Sequence, residues 1–339
     1  MTRSRIRRSL TIATGLFFAS IIGTASGEEP AEVAAEVPAP VGDEMIVCGQ
    51  RFKVGAPVVT WKDPGGYDAY SLDRRFPDPA KPDAPAKVEP GFGFRKAAKL
   101  SAADLDQVQK DGWDLPTLQQ AVDQFVVHYD VAGTSRRCFR VLHDERTLSV
   151  HFMLDLDGTL YQTLDLQENA WHATKANSRS IGIEIANMGA YPRSEAAKAL
   201  GAWYKPGPDG KTILTIPGSP ASIGLRDTAI PLAPSRDEMV AGKIHGQELV
   251  QYDLTPQQYE SLTKLTAALS RTFPKLKRDA PRDASGAVLT RVLTPEEFDA
   301  YQGVLGHFHV QTNKTDPGPA FRWETALGRD SAPTGVPSR

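Results

Sequence analysis

The sequence predicts an α/β (α+β) fold built on a central mixed β-sheet flanked by helices. Three stretches carry this expectation. Residues 180–187, SIGIEIAN, place Ile181, Ile183 and Ile185 on one strand face and Ser180, Gly182 and Glu184 on the other. Residues 148–164 hold two apolar runs around Asp157-Gly158, a favoured hairpin turn. Residues 255–273 read as a helix. Thr255 and Gln258 form a capping box, Pro256 sits in the first turn, and Tyr259, Leu262, Leu265, Leu269 and Phe273 make a buried stripe. Strands and helices mix without a strict βαβ rhythm, so a mixed sheet is expected rather than a parallel one.

The remaining elements follow in chain order. Arg3, Arg5, Arg7 and Arg8 precede an apolar run and then small residues, so residues 1–27 read as a secretory signal peptide. Residues 28–44 hold six acids and no base and read as an acidic flexible linker. Residues 45–70 suggest one or two strands packed onto the main body. Residues 75–95, rich in Pro, Asp and Lys, read as a loop crossing the surface. A short helix is expected over 101–111, with Ser101 as cap. Another is expected over 115–124 behind Asp114, with Leu118, Ala121, Val122 and Phe125 on one face. It runs into a strand at 125–129 that puts Val126 and His128 on the same side. In the hairpin, Val150, Phe152 and Leu154 point one way and Ser149, His151 and Met153 the other. Residues 188–250 read as an irregular insertion with one helix near 194–204. Thr294 and Glu297 form a second capping box, just before the stretch 306–321, GHFHVQTNKTDPGPAF.

Composition narrows the function classes. The chain has 339 residues, 40% hydrophobic and 24% charged, which is ordinary globular content. The formal net charge of −2 offers no basic surplus for nucleic acid. The apolar run of the signal is short for a permanent anchor, so no stable membrane insertion is expected after its cleavage. With export, Cys48 and Cys138 are read as a disulfide, a nucleophilic cysteine being the rival.

Seven histidines are present, and those at 128, 151, 307 and 309 lie on strands or beside turns. A catalytic zinc needs three protein ligands and an open position, and two histidines with a carboxylate suit it. Residues 306–321 supply His307, His309, Lys314 and Asp316 at the exit of an apolar run. The chain has no HExxH, GxSxG or Walker A motif.

Five ordered motifs, FVVHYD, LSVHFMLDLDGTLYQ, AWHATKAN, SIGIEIAN and GH…KTDPGPAF, resemble the zinc-dependent N-acetylmuramoyl-L-alanine amidases of the amidase-2 type. That superfamily includes the phage-lysozyme amidases and the peptidoglycan recognition proteins. The resemblance spans about residues 125–323 and implies a Zn2+ cofactor held by His128, His307 and Asp316, with His309 as a rival ligand. It implies Glu184 as general base and acid, and Lys314 as the partner of a developing oxyanion. His151, Trp171 and His172 match family positions, where they would line the cleft or orient substrate. The implied reaction is hydrolysis of the amide between N-acetylmuramic acid and L-alanine, on peptidoglycan or muropeptides; the signal peptide, rather than the resemblance, leads to the expectation of the periplasm or the exterior of the cell. A non-catalytic peptidoglycan-binding protein and a zinc peptidase of the stem peptide are the alternatives. The expected organisation is a single amidase domain over 45–335, with an N-terminal extension (45–118) and an insertion (188–250).

Overall fold

The computed structural model describes residues 41–78, 80–218, 223–229 and 231–329. The signal segment 1–27 and most of the acidic segment 28–44 lie outside them. Chain order begins with β1 (Gly42–Val47), β2 (Gln50–Thr60), the short β3 (Phe92–Gly93), α1 (Ala102–Asp111), α2 (Leu115–Ala121) and β4 (Gln124–Tyr129). After α3 (Ser135–Phe139), continued by a wider turn, come β5 (Phe152–Leu154), β6 (Leu160–Gln162), β7 (Asn169–Ala170) and β8 (Ser180–Ile185). Next are α4 (Arg193–Leu200), β9 (Tyr204–Pro206), β10 (Thr212–Leu214), β11 (Val240–Ile244) and β12 (Gln247–Gln251). The chain closes with α5 (Pro256–Thr272), α6 (Pro295–Ala300), β13 (Gly303–Gly306), α7 (His307–Val310) and α8 (Trp323–Ala326).

The expected mixed sheet is present. Its seven strands run β1-β2-β6-β5-β8-β4-β13. Strands β5, β8, β4 and β13 are mutually parallel, while β6 is antiparallel to β5 and β1 to β2. One face is apolar: Phe125, Val127, Phe152, Leu154 and the three isoleucines of β8 pack against Tyr259, Leu262, Leu265 and Leu269 of α5. Burying a side chain of this size contributes about 1.5–3 kcal/mol. Alternation along β4 and β8 therefore turns His128 and Glu184 to the opposite face.

The caps form as read. Ser101 caps α1 with Asp104 reciprocating, Asp114 caps α2, and Thr255 with Gln258 and Thr294 with Glu297 close the boxes on α5 and α6. Each satisfies N–H groups that the first helical turn leaves unpaired.

Four expectations are corrected. Residues 45–70 do not merely pack onto the body: β2 pairs in parallel with β6 and extends the central sheet. The stretch 75–95 ends inside the protein, where Arg95 is fully buried. The insertion 188–250 is more regular than expected, since β9–β10 and β11–β12 form two antiparallel ladders. Cys48 and Cys138 are unpaired. Cys48 lies at the β1–β2 turn beside the α5-side core, whereas Cys138 belongs to a second core cluster with Met153 and Tyr161. Burial first, then Asp165, pushes the Cys48 thiol up to about 12, and burial followed by Glu184 raises Cys138, so neither is an activated nucleophile. Among the described residues no helix is long and apolar enough to cross a membrane.

Candidate metal centre and cleft

Parallel strands bring their C-terminal ends together, and the site lies there. His128, near the end of β4, is the register partner of Glu184 on β8. His307 follows directly on β13, the other neighbour of β4. Asp316 returns over the end of β13, its carbonyl accepting the Phe308 N–H at 3.2 Å. Gly306 makes that return possible: a Cβ there would meet Pro317 Cδ at 2.7 Å. Tyr129 ties the same loop to β4 through a 2.5 Å hydroxyl contact with Thr315.

The three candidate ligand atoms form a near-equilateral triangle. His128 Nδ1 lies 2.9 Å from His307 Nδ1 and 2.9 Å from Asp316 Oδ2, and His307 Nδ1 lies 3.0 Å from Asp316 Oδ2. All three residues are buried. Among the described residues no other trio of His, Cys, Asp or Glu converges in this way.

The outer partners decide where the imidazole protons sit. His307 Nε2 is 2.7 Å from Gln311 Oε1, an acceptor, so Nε2 carries the proton. His128 Nε2 is 3.0 Å from His172 Nδ1, and His172 Nε2 is 3.2 Å from Ser180 Oγ. A consistent assignment has His128 donate to His172 and His172 donate to Ser180. Both Nδ1 lone pairs then face the Asp316 carboxylate with no proton between the two nitrogens, which is the electron-rich arrangement a cation relieves. Ligands about 2.0–2.1 Å from a tetrahedral zinc lie about 3.3 Å apart, so an outward shift of a few tenths of an ångström accommodates it. The donor set fits zinc.

Electrostatics agree with neutral imidazoles and a charged carboxylate. Burial first, and then His307, holds His128 down to about 4. Burial and His128 hold His172 well below the usual range. Burial alone would raise Asp316, but its close contacts with the His128 and His307 imidazoles outweigh it and hold it low.

A cleft of about 360 Å³ opens beside the triangle, lined among others by Glu184, Lys314, Trp171, His172 and Arg146. Burial first, then Asp316 and Asp130, raises Glu184 well above the ordinary carboxylate range, against a lowering pull from Lys314. Its Oε2 is buried with no hydrogen-bond partner among the described residues. Such a carboxylate is suited to exchange a proton with something entering the cleft. Lys314 is set two residues before Asp316, and its carbonyl accepts a 3.0 Å hydrogen bond from His245 Nε2 at the β11–β12 turn.

Two candidates from the sequence are placed elsewhere. His151 is fully buried and does not line the cleft. Its Nδ1 accepts the Gly182 N–H at 3.1 Å and its Nε2 faces the Glu168 carbonyl at 3.1 Å, so both nitrogens are engaged in packing. His309 does not share a strand face with His307, because β13 ends at Gly306 and both lie on α7. Its Nδ1 accepts the Gly306 N–H at 2.9 Å and its Nε2 meets the Leu289 carbonyl at 2.7 Å, leaving no lone pair for a metal. Gln311 and Arg95 were missed. A Gln four residues after His307 would have hinted at Gln311. Arg95 donates to the carbonyls of Asn177, Ser180, Leu166 and Glu168, contacts that only the fold brings together.

Residues 118–207 match the family model described as N-acetylmuramoyl-L-alanine amidase, Amidase_2. No curated protein matches the chain. Solved structures with some likeness include the endolysin amidase LysCS from Clostridium intestinale URNW, at 16% identity and a TM-score of 0.31 over 61% of this chain and 82% of that one. AmpD, as a selenomethionine derivative, gives 16% and 0.32 over 76% and 94%. AmiD from E. coli, in complex with anhydro-N-acetylmuramic acid-L-Ala-D-gamma-Glu-L-Lys, gives 16% and 0.33 over 71% and 66%. Likeness at this level bears on neither substrate nor mechanism.

Proposed function

We propose, from the match of residues 118–207 to the Amidase_2 family model, that this chain is a zinc-dependent N-acetylmuramoyl-L-alanine amidase that hydrolyses the lactyl–L-alanine amide of peptidoglycan or its fragments. The observation that carries the reading is the triangle of His128, His307 and Asp316 beside Glu184, whose buried Oε2 has no hydrogen-bond partner among the described residues. His128, His307 and Asp316 would hold the ion, which when bound supplies Lewis acidity and a water of lowered pKa. Glu184 takes a proton from the attacking water and returns it to the departing amine. Lys314 offers its ammonium to the negative charge that gathers on the attacked carbonyl oxygen. His172 and Gln311 keep both imidazoles in the ligating tautomer. The arginine-rich N-terminus supports export, so the working place of the enzyme would be the periplasm or the exterior.

A binding-only protein is disfavoured, because the ligand trio, Glu184 and Lys314 are all present. The test is mass spectrometry of sacculi or muropeptides digested with zinc-loaded protein. Stem peptides beginning with L-alanine and free muramic lactyl groups are the expected products. Cut stems still attached to muramic acid would make the chain a peptidase instead. Glu184→Gln is expected to lower kcat by about 10²–10⁴-fold.

A further inference from the structure

Two arginine pairs that lie far apart in the sequence meet beside the cleft wall. Arg74 and Arg75 precede Phe76 on the loop after β2, and Arg136 and Arg137 lie on α3, with Arg140 one turn beyond Arg136. The Arg136 guanidinium carbon sits 3.8 Å from the centroid of the Phe76 ring, and that of Arg75 sits 5.6 Å from the same ring. Tyr67 and Phe139 hold the ring edge to face at 5.5 and 6.1 Å. The loop is pinned as well. Asp144 accepts the Arg75 N–H at 3.0 Å and the Phe76 N–H at 2.7 Å, and His143 Nε2 meets the Ser71 carbonyl at 2.8 Å. Arg75 is exposed, and Arg136 and Arg140 are partly so. Among the described residues no carboxylate pairs with the Arg75 or Arg136 guanidinium. Arg140 has Glu145 at 3.5 Å, which it shares with Lys81.

We infer that Arg75, Arg136 and Arg140 form a binding site for a polyvalent phosphate oxyanion, carried on a soluble molecule or on a lipid headgroup. Like charges one helical turn apart destabilise a helix, so Arg136 and Arg140 stand together at a cost. Burial first, followed by Arg75 and Arg140 against a raising pull from Tyr67, lowers the Arg136 pKa. A bound oxyanion relieves this repulsion. The residues are arginines rather than lysines, and a guanidinium fork pairs phosphate oxygens two at a time. Three cations need more than one negative charge to balance them, which a lone carboxylate does not supply. The chain as a whole is formally −2, so no general basic surplus explains the cluster. The locked ring and the pinned loop hold Arg75 and Arg136 in place before a ligand arrives, which lowers the ordering cost of binding. The site is separate from the amide chemistry. None of the three arginines lines the cleft, and Arg75 lies outside the residues matched by the family model.

The test titrates the full chain with inorganic triphosphate at low ionic strength, followed by calorimetry and by the side-chain Nε–H resonances of Arg75 and Arg136. Saturable binding that shifts both resonances and weakens with added salt is expected. Arg75→Gln combined with Arg136→Gln should weaken it at least tenfold with an unchanged circular dichroism spectrum. The matching pair of lysine substitutions should restore only part of it. Arg271→Gln, which removes a charge from α5 across the sheet, should leave it unchanged. A parallel arm floats the chain on phosphatidylcholine vesicles with and without phosphatidylglycerol. The arginine-rich N-terminus is common to every variant, so differences between variants report the cluster. Triphosphate binding that depends on Arg75 and Arg136 assigns the site to phosphate in solution. Phosphatidylglycerol-dependent flotation that depends on them, without triphosphate binding, assigns it to headgroups. Neither dependence, or equal weakening by Arg271→Gln, overturns the site.

Discussion

His172 lines the cleft and meets His128 at once, and its effect on the candidate metal centre is a matter of proton placement. With His172 Nδ1 as acceptor, His128 must present its Nδ1 lone pair to the centre. Removing such an outer partner typically costs 10–100-fold in metal affinity. His172→Ala is therefore expected to weaken zinc binding by roughly that factor, read by competition with a chromophoric chelator, while the far-ultraviolet spectrum stays that of the parent. A wild-type affinity would show that His128 is oriented by packing alone. Asp155 makes a different prediction. It is fully buried, its Oδ2 has no partner among the described residues, and burial followed by Asp157 raises its carboxyl well above the usual range. The folded state then holds its proton more tightly than the unfolded state. Its contribution is most favourable below the unfolded value of about 3.9 and is lost progressively as pH rises towards the folded value, at about 1.4 kcal/mol per pH unit. Asp155→Asn removes this loss. Its melting temperature should match that of the parent near pH 4 and exceed it increasingly at higher pH, and a pH-independent difference would refute the account.

At the scale of elements, β8 owes its position to the absence of a side chain. A Cβ on Gly182 would meet the His172 ring at 2.6 Å. Gly182→Ala should displace that ring and reproduce the zinc-affinity loss of His172→Ala without touching a ligand, and normal zinc affinity would mean the ring relaxes freely. The β11–β12 ladder acts on the other side of the cleft. Its turn residue His245 holds the Lys314 carbonyl, so His245→Ala should lower kcat several-fold and leave zinc affinity close to that of the parent, an outcome chelator competition and steady-state kinetics separate. These elements differ in how readable they were. The capped helices were legible because a capping box is complete within four residues. The faces of β4 and β8 were legible because alternation is local. The β9–β10 and β11–β12 ladders were not, because their strands are three to five residues long and only partly buried. His128, His307, Asp316 and Glu184 could be named from motif order, whereas the packing partners of His151 and His309 could not be read. Which nitrogen meets which carbonyl depends on partners 17 and 20 residues away.

Over the whole molecule, the matched segment and the folding unit are different things. Residues 118–207 hold β4 to β8 but not β13, α5 or the β1–β2 hairpin, and two of the three candidate ligands lie beyond them. The hairpin contributes Met45, Val47, Val54, Ala56 and Val58 to the main core, and β2 covers the edge of β6. The larger side chains contribute about 1.5–3 kcal/mol each when buried, so their sum rivals the 5–15 kcal/mol that stabilises a typical domain. An uncovered β6 would also offer its unpaired backbone to other chains. A chain beginning at residue 61 is therefore expected to lose cooperative unfolding and near-ultraviolet dichroism, to aggregate, and to bind zinc no better than an unfolded peptide. A soluble truncated chain with a sharp thermal transition and parental zinc affinity would show the hairpin to be an accessory. The core would then have to close through α5 alone.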